Sequence, residues 1–290
     1  MTSSNLSLAV HLHIYYPDMW EKIKARLQNI ADYPYHLYVT MPEENLYLAD
    51  EIRAFHAQTT VHTVENYGYD IGPFIDFLNR INLDDYDLIL KIHTKNDKDG
   101  GDTLINKWYV KRKLWFELLI DALIGNKKIF MKNLHAFEKD KTLGMVGSKY
   151  CITSNIKNFN LVEEGIHQVM KHLGLNNYMP IKFVAGTMFM VRSSIMKSIK
   201  GVYTIEDFMP TDGTIKDGTL AHIMERVFGC MVTAAGYKIK GFDKSWSFET
   251  YSLTKKICRF FYQKKVTKTN YLQIKILKIP VYHRKFKGQI

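Results

Sequence analysis

The hydrophobic and polar positions in the first part of the chain switch repeatedly between two periods. Short apolar or β-branched runs predict strands, and stretches with apolar residues three or four positions apart predict helices. The predicted strands are residues 8–15, 36–40, 60–64 and 86–94, and the predicted helices are residues 20–30, 43–55 and 70–81. Strands that alternate with helices in this way form a mainly parallel sheet covered by helices on both faces.

The pattern of the following residues is less regular. It predicts a helix over 104–124, a short strand over 144–148, a helix over 156–173, a glycine-containing strand over 182–192 and a helix over 219–228. No linker rich in Pro, Gly or Ser separates these elements. We therefore expect residues 1–250 to form one α/β domain, and residues 251–290 to form a separate extension.

The charge distribution changes at the same boundary. The 290 residues include 40 Lys and Arg against 29 Asp and Glu, which gives a formal net charge of +11. Residues 250–290 contain 11 of the basic residues and no acidic ones, so the rest of the chain is balanced. Aromatic and aliphatic residues are interleaved with these basic ones, a combination that suits an anionic membrane surface. Nucleic acid would attract the same charge, but the balanced remainder has no nucleic-acid motif, and we favour the membrane.

Several classes of protein are excluded by what the sequence lacks. The isolated cysteines Cys151, Cys230 and Cys258 do not have zinc-ligand spacing, and residues 1–20 do not resemble a signal peptide. No apolar run approaches the length of about 20 residues that spans a bilayer. The motifs of nicotinamide dehydrogenases, P-loop enzymes, serine hydrolases and zinc proteases are also absent. We therefore expect a cytoplasmic protein that lies peripherally on the inner face of the cell membrane.

Residues 65–74 (ENYGYDIGPF) follow one predicted strand and open the next helix. Gly68 permits a positive φ or a close backbone approach, and Asp70 suits a helix N-cap with Pro73 in the first turn. One interpretation is an ordinary strand-to-helix turn, which the local pattern alone favours. The other places Asn66 and Asp70 at the mouth of the sheet, where they can hydrogen-bond ribose or sugar hydroxyls.

The predicted strand over residues 86–94 ends in polar side chains. His93 and Lys95 lie on one side of it by the two-residue period, so together they can neutralise a diphosphate. A charged strand end in water is an equal alternative. Asp97 and Asp99 follow in a DxD pattern of the kind that ligates a divalent cation, although an exposed acidic turn is the more frequent cause of so short a pattern.

A third polar segment, residues 212–226 (DGTIKDGTLAHIMER), opens the predicted helix over 219–228. Asp217 precedes the first turn, while His222, Glu225 and Arg226 occupy a more polar side of the helix. A carboxylate at this position can act as the base that deprotonates an acceptor hydroxyl. The alternatives are a plain N-cap for Asp217 and a solvated ion pair for Glu225 with Arg226.

In their order and spacing these segments resemble the rhamnan synthesis protein F family. The resemblance runs from about residue 8 to residue 237, and it rests on Asn66-x-Gly68-x-Asp70-Ile71-x-Pro73-Phe74, Lys91-Ile92-His93-Thr94-Lys95, Phe183-Val184-Ala185-Gly186-Thr187-Met188-Phe189 and Asp217-Gly218-Thr219-Leu220-Ala221-His222 with Glu225-Arg226. It implies a GT-A-like fold and a bacterial glycosyltransferase of cell-surface polysaccharide or lipopolysaccharide. The implied donor is a nucleotide sugar, with dTDP-rhamnose favoured, and the implied acceptor is a lipid-linked saccharide.

The resemblance also suggests a role for each candidate residue. Donor binding would fall to Asn66, Gly68, Asp70, His93, Thr94 and Lys95, the acceptor side to Gly186 and Thr187, and catalysis to Asp217, with Glu225 in reserve and His222 beside them. The strand that ends in a metal-binding DxD in GT-A proteins here ends in His93-Thr94-Lys95. Either these basic groups replace the cation, or Asp97 and Asp99 hold Mg²⁺ or Mn²⁺. The alternative function is a non-catalytic subunit that binds a nucleotide sugar or carbohydrate.

Overall fold

The computed structural model describes residues 5–95, 101–154, 159–210, 218–266, 271–277 and 279–285. The strands, in chain order, are β1 (Leu8–His13), β2 (His36–Met41), β3 (Thr59–Thr63), β4 (Leu88–His93), β5 (Asp102–Ile105), β6 (Trp108–Lys111), β7 (Leu143–Val146), β8 (Ile152–Thr153), β9 (Phe183–Val184), β10 (Phe189–Arg192), β11 (Lys238–Lys240), β12 (Tyr262–Val266), β13 (Tyr271–Ile276) and β14 (Ile279–Lys285). The α-helices are α1 (Trp20–Leu27), α2 (Ala49–Phe55), α3 (Ile71–Arg80), α4 (Arg112–Ile124), α5 (Lys127–Lys139), α6 (Phe159–His172), α7 (Leu220–Ala234) and α8 (Trp246–Phe261).

A seven-stranded sheet flanked by helices forms the centre of the protein. Its strand order is β11-β7-β10-β4-β1-β2-β3, and β10 is the strand that runs antiparallel to its neighbours. Strands β1 and β4 are buried at every residue, which matches their nearly continuous apolar sequences. The predicted α/β class and mainly parallel sheet are confirmed.

One face of the sheet is covered by α3 and α7. Phe74 of α3 packs edge-to-face on Phe228 of α7, with ring centroids 5.4 Å apart, and both rings contact Phe189 of β10. Burial of such aromatic side chains contributes about 1.5–3 kcal/mol each. This packing holds the starts of α3 and α7 close to the centre of the sheet, where β4 and β10 pair.

Two sequence predictions were wrong in their element type or extent. Residues 104–111, predicted as the start of a helix, instead belong to the β5–β6 hairpin, whose turn places Asn106 at a φ of 52°. Aromatic and β-branched residues favour this extended conformation, and the helix begins only at Arg112. The predicted strand over 182–192 is two strands, because Gly186 and Thr187 adopt φ angles of 94° and 51° and turn the chain between them.

The C-terminal part of the described chain is attached through helix α8, which crosses the predicted boundary at residue 250. Ser252 is buried and its hydroxyl accepts a hydrogen bond of 2.9 Å from the Tyr109 backbone N–H, while Lys255 pairs with Asp102 at 2.8 Å. Strands β12, β13 and β14 then form a separate antiparallel sheet. Within the described ranges, no helix combines the length and the apolar character that crossing a membrane requires.

Candidate functional site

A cavity of about 540 Å³ lies beyond the carboxyl ends of β1 and β4, where ligands of parallel sheets bind. It is lined by His13, Tyr15, Tyr16, Asn66, Tyr69, Asp70, His93, Thr94, Lys95, Gly101, Thr103, Arg112 and Trp115. A shallower and larger cavity of about 820 Å³ lies near residues 33–36 and 57–60, remote from these strand ends. We take the first as the candidate site because it gathers ionisable groups from several elements.

An ion pair between Lys91 and Asp70 forms the base of this region. Lys91 on β4 is completely buried, and its ammonium donates to Oδ2 of Asp70 and, at 3.1 Å, to the carbonyl of Thr187. Burial works against the charge on Asp70, but His93 and the Lys91 ammonium together hold the pKa of this carboxyl well below its usual range. The Asp70 side chain makes no capping bond to α3, and its hydrogen bonds go to Lys91 and Thr187 instead.

His93 lies beside this pair at the end of β4. Its Nδ1 is 2.9 Å from the Thr94 carbonyl, its Nε2 is 3.0 Å from the Gly186 carbonyl, and Nε2 is 3.6 Å from Oδ2 of Asp70. Burial lowers the pKa of His93 to about 4 despite the nearby carboxylate. A neutral ring donates from only one nitrogen, so the imidazole is held between two competing acceptors.

The turn at residues 185–187 is joined to three other elements. The Gly186 N–H donates to Oε1 of Glu225 on α7 at 2.7 Å, and the Thr187 hydroxyl donates to Asp70. Glu225 also accepts a hydrogen bond of 2.8 Å from Arg226. A Cβ at Gly186 would lie 2.7 Å from the Leu119 side chain, so this turn requires glycine for space as well as for its positive φ.

His13, which the sequence analysis did not single out, lies on the floor of the cavity. It pairs in register with His93, and its Nδ1 is 3.1 Å from the Thr40 carbonyl, which can only accept. The Thr40 hydroxyl oxygen is also 3.1 Å from Nδ1. In the tautomer with the proton on Nδ1, which then donates to the Thr40 carbonyl, Nε2 is a buried acceptor without a partner among the described residues. Burial lowers the pKa of His13 to about 3, so the ring is neutral near pH 7. The signal in the sequence was a polar residue ending an otherwise apolar strand.

Cationic and aromatic groups form the wall of the cavity. The Lys95 ammonium lies 4.5 Å from the centre of the Trp115 ring, and Arg112, which the sequence analysis also missed, begins α4 beside them. The Thr94 hydroxyl is occupied by the backbone N–H groups of Tyr15 and Tyr16, at 2.9 and 3.0 Å. The cavity thus has the neutral His13 ring and the Asp70 carboxylate on its floor, and the cations Lys95 and Arg112 on its wall.

The structure brings most of the predicted site residues to this region. Asn66, Asp70, His93, Thr94 and Lys95 line the cavity, while Gly186, Thr187 and Glu225 hold its base. Two others lie at its edge. Gly68 has a φ of 69° and packs against Phe208, and His222 contacts the Tyr69 ring.

Three predicted acidic residues cannot be placed. Asp97, Asp99 and Asp217 lie outside the described residues. Among the residues that are described, no group of three or more His, Cys, Asp or Glu side chains could hold a metal ion. The roles of Asp217 as the base and of Asp97 and Asp99 as metal ligands therefore stay predictions.

The four segments that converge here are those that carried the resemblance in the sequence. Residues 1–237 match the family described as rhamnan synthesis protein F. This chain belongs to that family. In this chain each of the four segments supplies one side of the same hydrogen-bonded cluster.

Further similarities are more distant. The uncharacterized protein WxcX from two strains of Xanthomonas campestris pv. campestris is 26% identical over 200 residues, covering 63% of this chain and 25% of WxcX. The chain thus spans about a quarter of the length of these curated relatives. Two crystal structures of S. aureus TarS 1-349, one in complex with UDP-GlcNAc, are 12% and 13% identical with TM-scores of 0.40 and 0.38; each match covers 83% of this chain, and 59% and 61% of TarS respectively.

Proposed function

We propose that this chain is a glycosyltransferase that moves a sugar from a nucleotide-sugar donor to a saccharide acceptor during polysaccharide biosynthesis. The observation that carries the proposal is the convergence of the four family segments on one cavity with acceptors on its floor and cations on its wall. A nucleotide sugar offers the matching chemistry, because its hydroxyls donate hydrogen bonds and its diphosphate is anionic. We favour dTDP-rhamnose as donor because the family is named for rhamnan synthesis.

The leaving diphosphate is assigned to the cations of the wall. Lys95 and Arg112 line the cavity, and Lys95 is positioned over Trp115. Stabilising charge on a leaving group is a large part of catalysis when the donors are already oriented. His93, whose ring nitrogens face the Thr94 and Gly186 carbonyls, supports the diphosphate site from below and positions the turn at Gly186.

The donor sugar is assigned to the acceptors of the floor. Oδ1 of Asp70 is not used by Lys91, Thr187 or His93, and Nε2 of His13 lacks a partner among the described residues. Both atoms can accept hydrogen bonds from sugar hydroxyls, with Asn66 beside them at the rim. A negative carboxylate near the anomeric carbon also stabilises the positive charge that grows there during transfer.

Asp217 is assigned the deprotonation of the acceptor hydroxyl. Glu225, the reserve candidate, already bonds the Gly186 N–H and Arg226, which favours a positioning role for it. If dTDP-β-L-rhamnose gives an α-linked product, the reaction inverts configuration in a single displacement. We expect Asp217→Asn to fold normally and to lose turnover by about 10²–10⁴-fold, the usual contribution of a positioned proton transfer. Full turnover in this variant would remove Asp217 from the mechanism.

The acceptor is proposed to be a lipid-linked saccharide at the inner face of the membrane, which would place the protein peripherally on that surface. The basic composition of residues 251–290 supports this location. A divalent cation, Mg²⁺ or Mn²⁺, is compatible with the proposal if Asp97 and Asp99 bind it. Otherwise the cations of the wall perform its role.

The decisive experiment is to incubate the protein with a panel of nucleotide sugars, dTDP-L-rhamnose included, and a saccharide acceptor, and to measure nucleotide release. Release from one donor identifies both the activity and the sugar, and release that survives EDTA assigns the cation's role to Lys95 and Arg112. Donor binding without turnover would support the alternative of a non-catalytic binding subunit. No binding of any donor would contradict the transferase and would leave only the alternative of a subunit that binds carbohydrate.

A further inference from the structure

Helix α8 carries a row of exposed apolar side chains along one face. The apolar row consists of Trp246, Leu253, Ile257, Phe260 and Phe261, whose exposed fractions range from 44% to 69%. Their spacing of seven, four, three and one residues places them on one side of a helix with 3.6 residues per turn. An apolar face of this size in water is costly, so it indicates a binding surface.

The opposite face of α8 is fixed to the body of the protein. Phe248 is buried against Tyr150, with ring centroids 4.7 Å apart, and the buried Ser252 bonds the Tyr109 backbone. Farther along, Lys255 pairs with Asp102 and the Arg259 guanidinium lies 4.9 Å from the Tyr109 ring centre. These contacts fix the rotation of the helix, so the apolar row points away from the protein by construction.

The small C-terminal sheet continues the exposed apolar surface. Tyr262, Ile276, Leu277, Ile279, Val281 and Tyr282 are all exposed, and β12 follows directly on α8. Leu277 bonds back to the Phe261 carbonyl through its N–H at 3.0 Å, which ties the sheet to the end of the helix. The sheet is therefore joined to the end of the helix that carries the apolar row.

The charge of this region identifies the partner. Residues 250–290 contain 11 Lys and Arg and no acidic residue. Lys255, Lys256 and Arg259 contact the body of the protein, and the other eight follow them in the sequence. This composition favours a partner that is anionic and able to accept aromatic and aliphatic side chains. A second copy of this chain would bring the same positive charge against itself. An anionic lipid surface satisfies both requirements, because it attracts each nearby basic residue by a free energy that is roughly additive and takes up apolar side chains at the acyl boundary.

We propose that α8 and the β12–β14 sheet dock this protein onto an anionic lipid bilayer, with the apolar row inserted at the acyl boundary. A 16-residue helix is about 24 Å long, and it would lie in the plane of the bilayer surface. The inference deepens the proposed function, because it assigns the membrane contact to a particular surface, and it rests on that function only for the purpose of the contact. It is tested without donor or turnover, so its failure would leave the transferase assignment untouched.

The test is flotation of the full chain with phosphatidylcholine vesicles that contain roughly one-third phosphatidylglycerol. We expect binding to these vesicles, weak binding to pure phosphatidylcholine, and a decrease as salt screens the charges. Replacing Leu253 and Ile257 together by Asp should reduce the partition coefficient by about tenfold or more, since two apolar side chains lose their burial. Point substitutions are preferable to deletion of residues 251–290, which would cut α8 within its packed face.

The matched control replaces Leu46 and Tyr47 together by Asp. Both residues are exposed and lie far from α8 in the sequence, and the substitution changes the net charge by the same amount. We expect it to bind vesicles like the unmodified chain. Equal losses in both double variants would show that charge alone governs binding, and would overturn insertion of the apolar row.

Two other outcomes would also overturn the proposal. One is the absence of vesicle binding together with a concentration-dependent dimer that Leu253→Asp/Ile257→Asp converts to a monomer. The other is salt-sensitive binding to an oligonucleotide without any binding to vesicles. The second readout is an environment-sensitive fluorophore attached to the exposed Cys258, since Cys151 and Cys230 are buried and escape labelling. Its emission should shift to shorter wavelength with anionic vesicles, because the helix then enters a less polar environment.

Discussion

The cavity beyond β1 and β4 and the outer surface of α8 depart in opposite ways from the usual distribution of polar and apolar residues. At the cavity, ionisable groups are buried, and Lys91 has no exposed surface at all. On α8, large apolar groups such as Trp246 and Leu253 are exposed. Buried charges and exposed apolar patches are the informative exceptions in a folded protein.

The two regions also differ in how their groups are held. At the cavity, Asp70, Lys91 and Glu225 each bond a residue of another element, so the geometry is fixed before any ligand arrives. On α8 the contacts described above fix the inner face, and Leu253 and Ile257 of the apolar row are exposed. This difference favours a ligand that requires orientation at the first region and a partner that requires only a surface at the second. The following predictions test this contrast.

The largest expected effect is on the buried ion pair. Asp70→Ala leaves the Lys91 ammonium buried without its carboxylate, which should cost about 3–5 kcal/mol in the free energy of unfolding. The control is Asp84→Ala, which removes the partner of Lys197 in a pair whose side chains are 72% and 47% exposed. That change should cost about 0–1 kcal/mol. Urea unfolding measures both, and similar costs would mean that Lys91 finds another partner or solvent.

The buried histidines should make stability depend on pH. In the folded protein burial lowers the pKa of His13 to about 3 and of His93 to about 4, whereas unfolded histidines titrate near their ordinary value. As pH falls, the unfolded state therefore binds more protons, and these two histidines should lower stability by about 2–4 kcal/mol between about pH 7 and pH 5. Burial also lowers the pKa of His11, which adds to the decrease.

Unfolding at several pH values measures this slope. His13→Asn removes one of the three buried histidines whose pKa is strongly lowered, His11, His13 and His93, so its slope should be about two-thirds that of the unmodified chain. A variant slope equal to the original one would show that burial does not keep the His13 ring neutral as the pH falls from about 7 to about 5. It would then not be the neutral acceptor on which the sugar assignment depends.

A smaller effect is expected at the turn that joins the family segments. Gly186→Ala introduces a Cβ 2.7 Å from the Leu119 side chain at a φ of 94°, and should cost about 1–3 kcal/mol and reduce turnover. Gly174→Ala is the matched control, because its φ is 68° but a Cβ there would meet nothing within 4 Å. It should cost about 1–2 kcal/mol from backbone strain alone and leave turnover unchanged. Equal turnover in both variants would argue against a positioning role for the turn.

Much of the fold could be predicted from the sequence because the strands of the central sheet have strong apolar patterns. The period of two placed His93 and Lys95 on one side of a strand at its carboxyl end. The alternation of strands and helices indicated that ligands bind at the carboxyl ends of the strands. The register could not be read in this way. Only the pairing of His13 with His93 shows that two histidines meet at the floor of one cavity.

The failures have equally local causes. The turn at Gly186 and Thr187 was hidden because apolar residues flank it on both sides, so the pattern predicted one strand. Asp70 has the right residue type and position for an N-cap, yet its carboxylate bonds Lys91, a residue 21 positions away. Local propensity does not show that a distant side chain such as Lys91 will bind the Asp70 carboxylate in place of the helix end. The signal for this contact was Lys91 itself, a lysine within an apolar strand.

The smallest effect is expected where the contrast between the two regions is sharpest. Leu253→Asp/Ile257→Asp should change the free energy of unfolding by no more than about 0.5 kcal/mol, since both side chains face solvent in the free protein. Phe248→Ala, on the inner face of the same helix, should cost about 3–5 kcal/mol because its ring is buried. If the double variant were strongly destabilised, the apolar row would have to be covered by the protein itself. Near-neutral stability combined with lost vesicle binding would instead separate a surface that serves a partner from one that serves the fold.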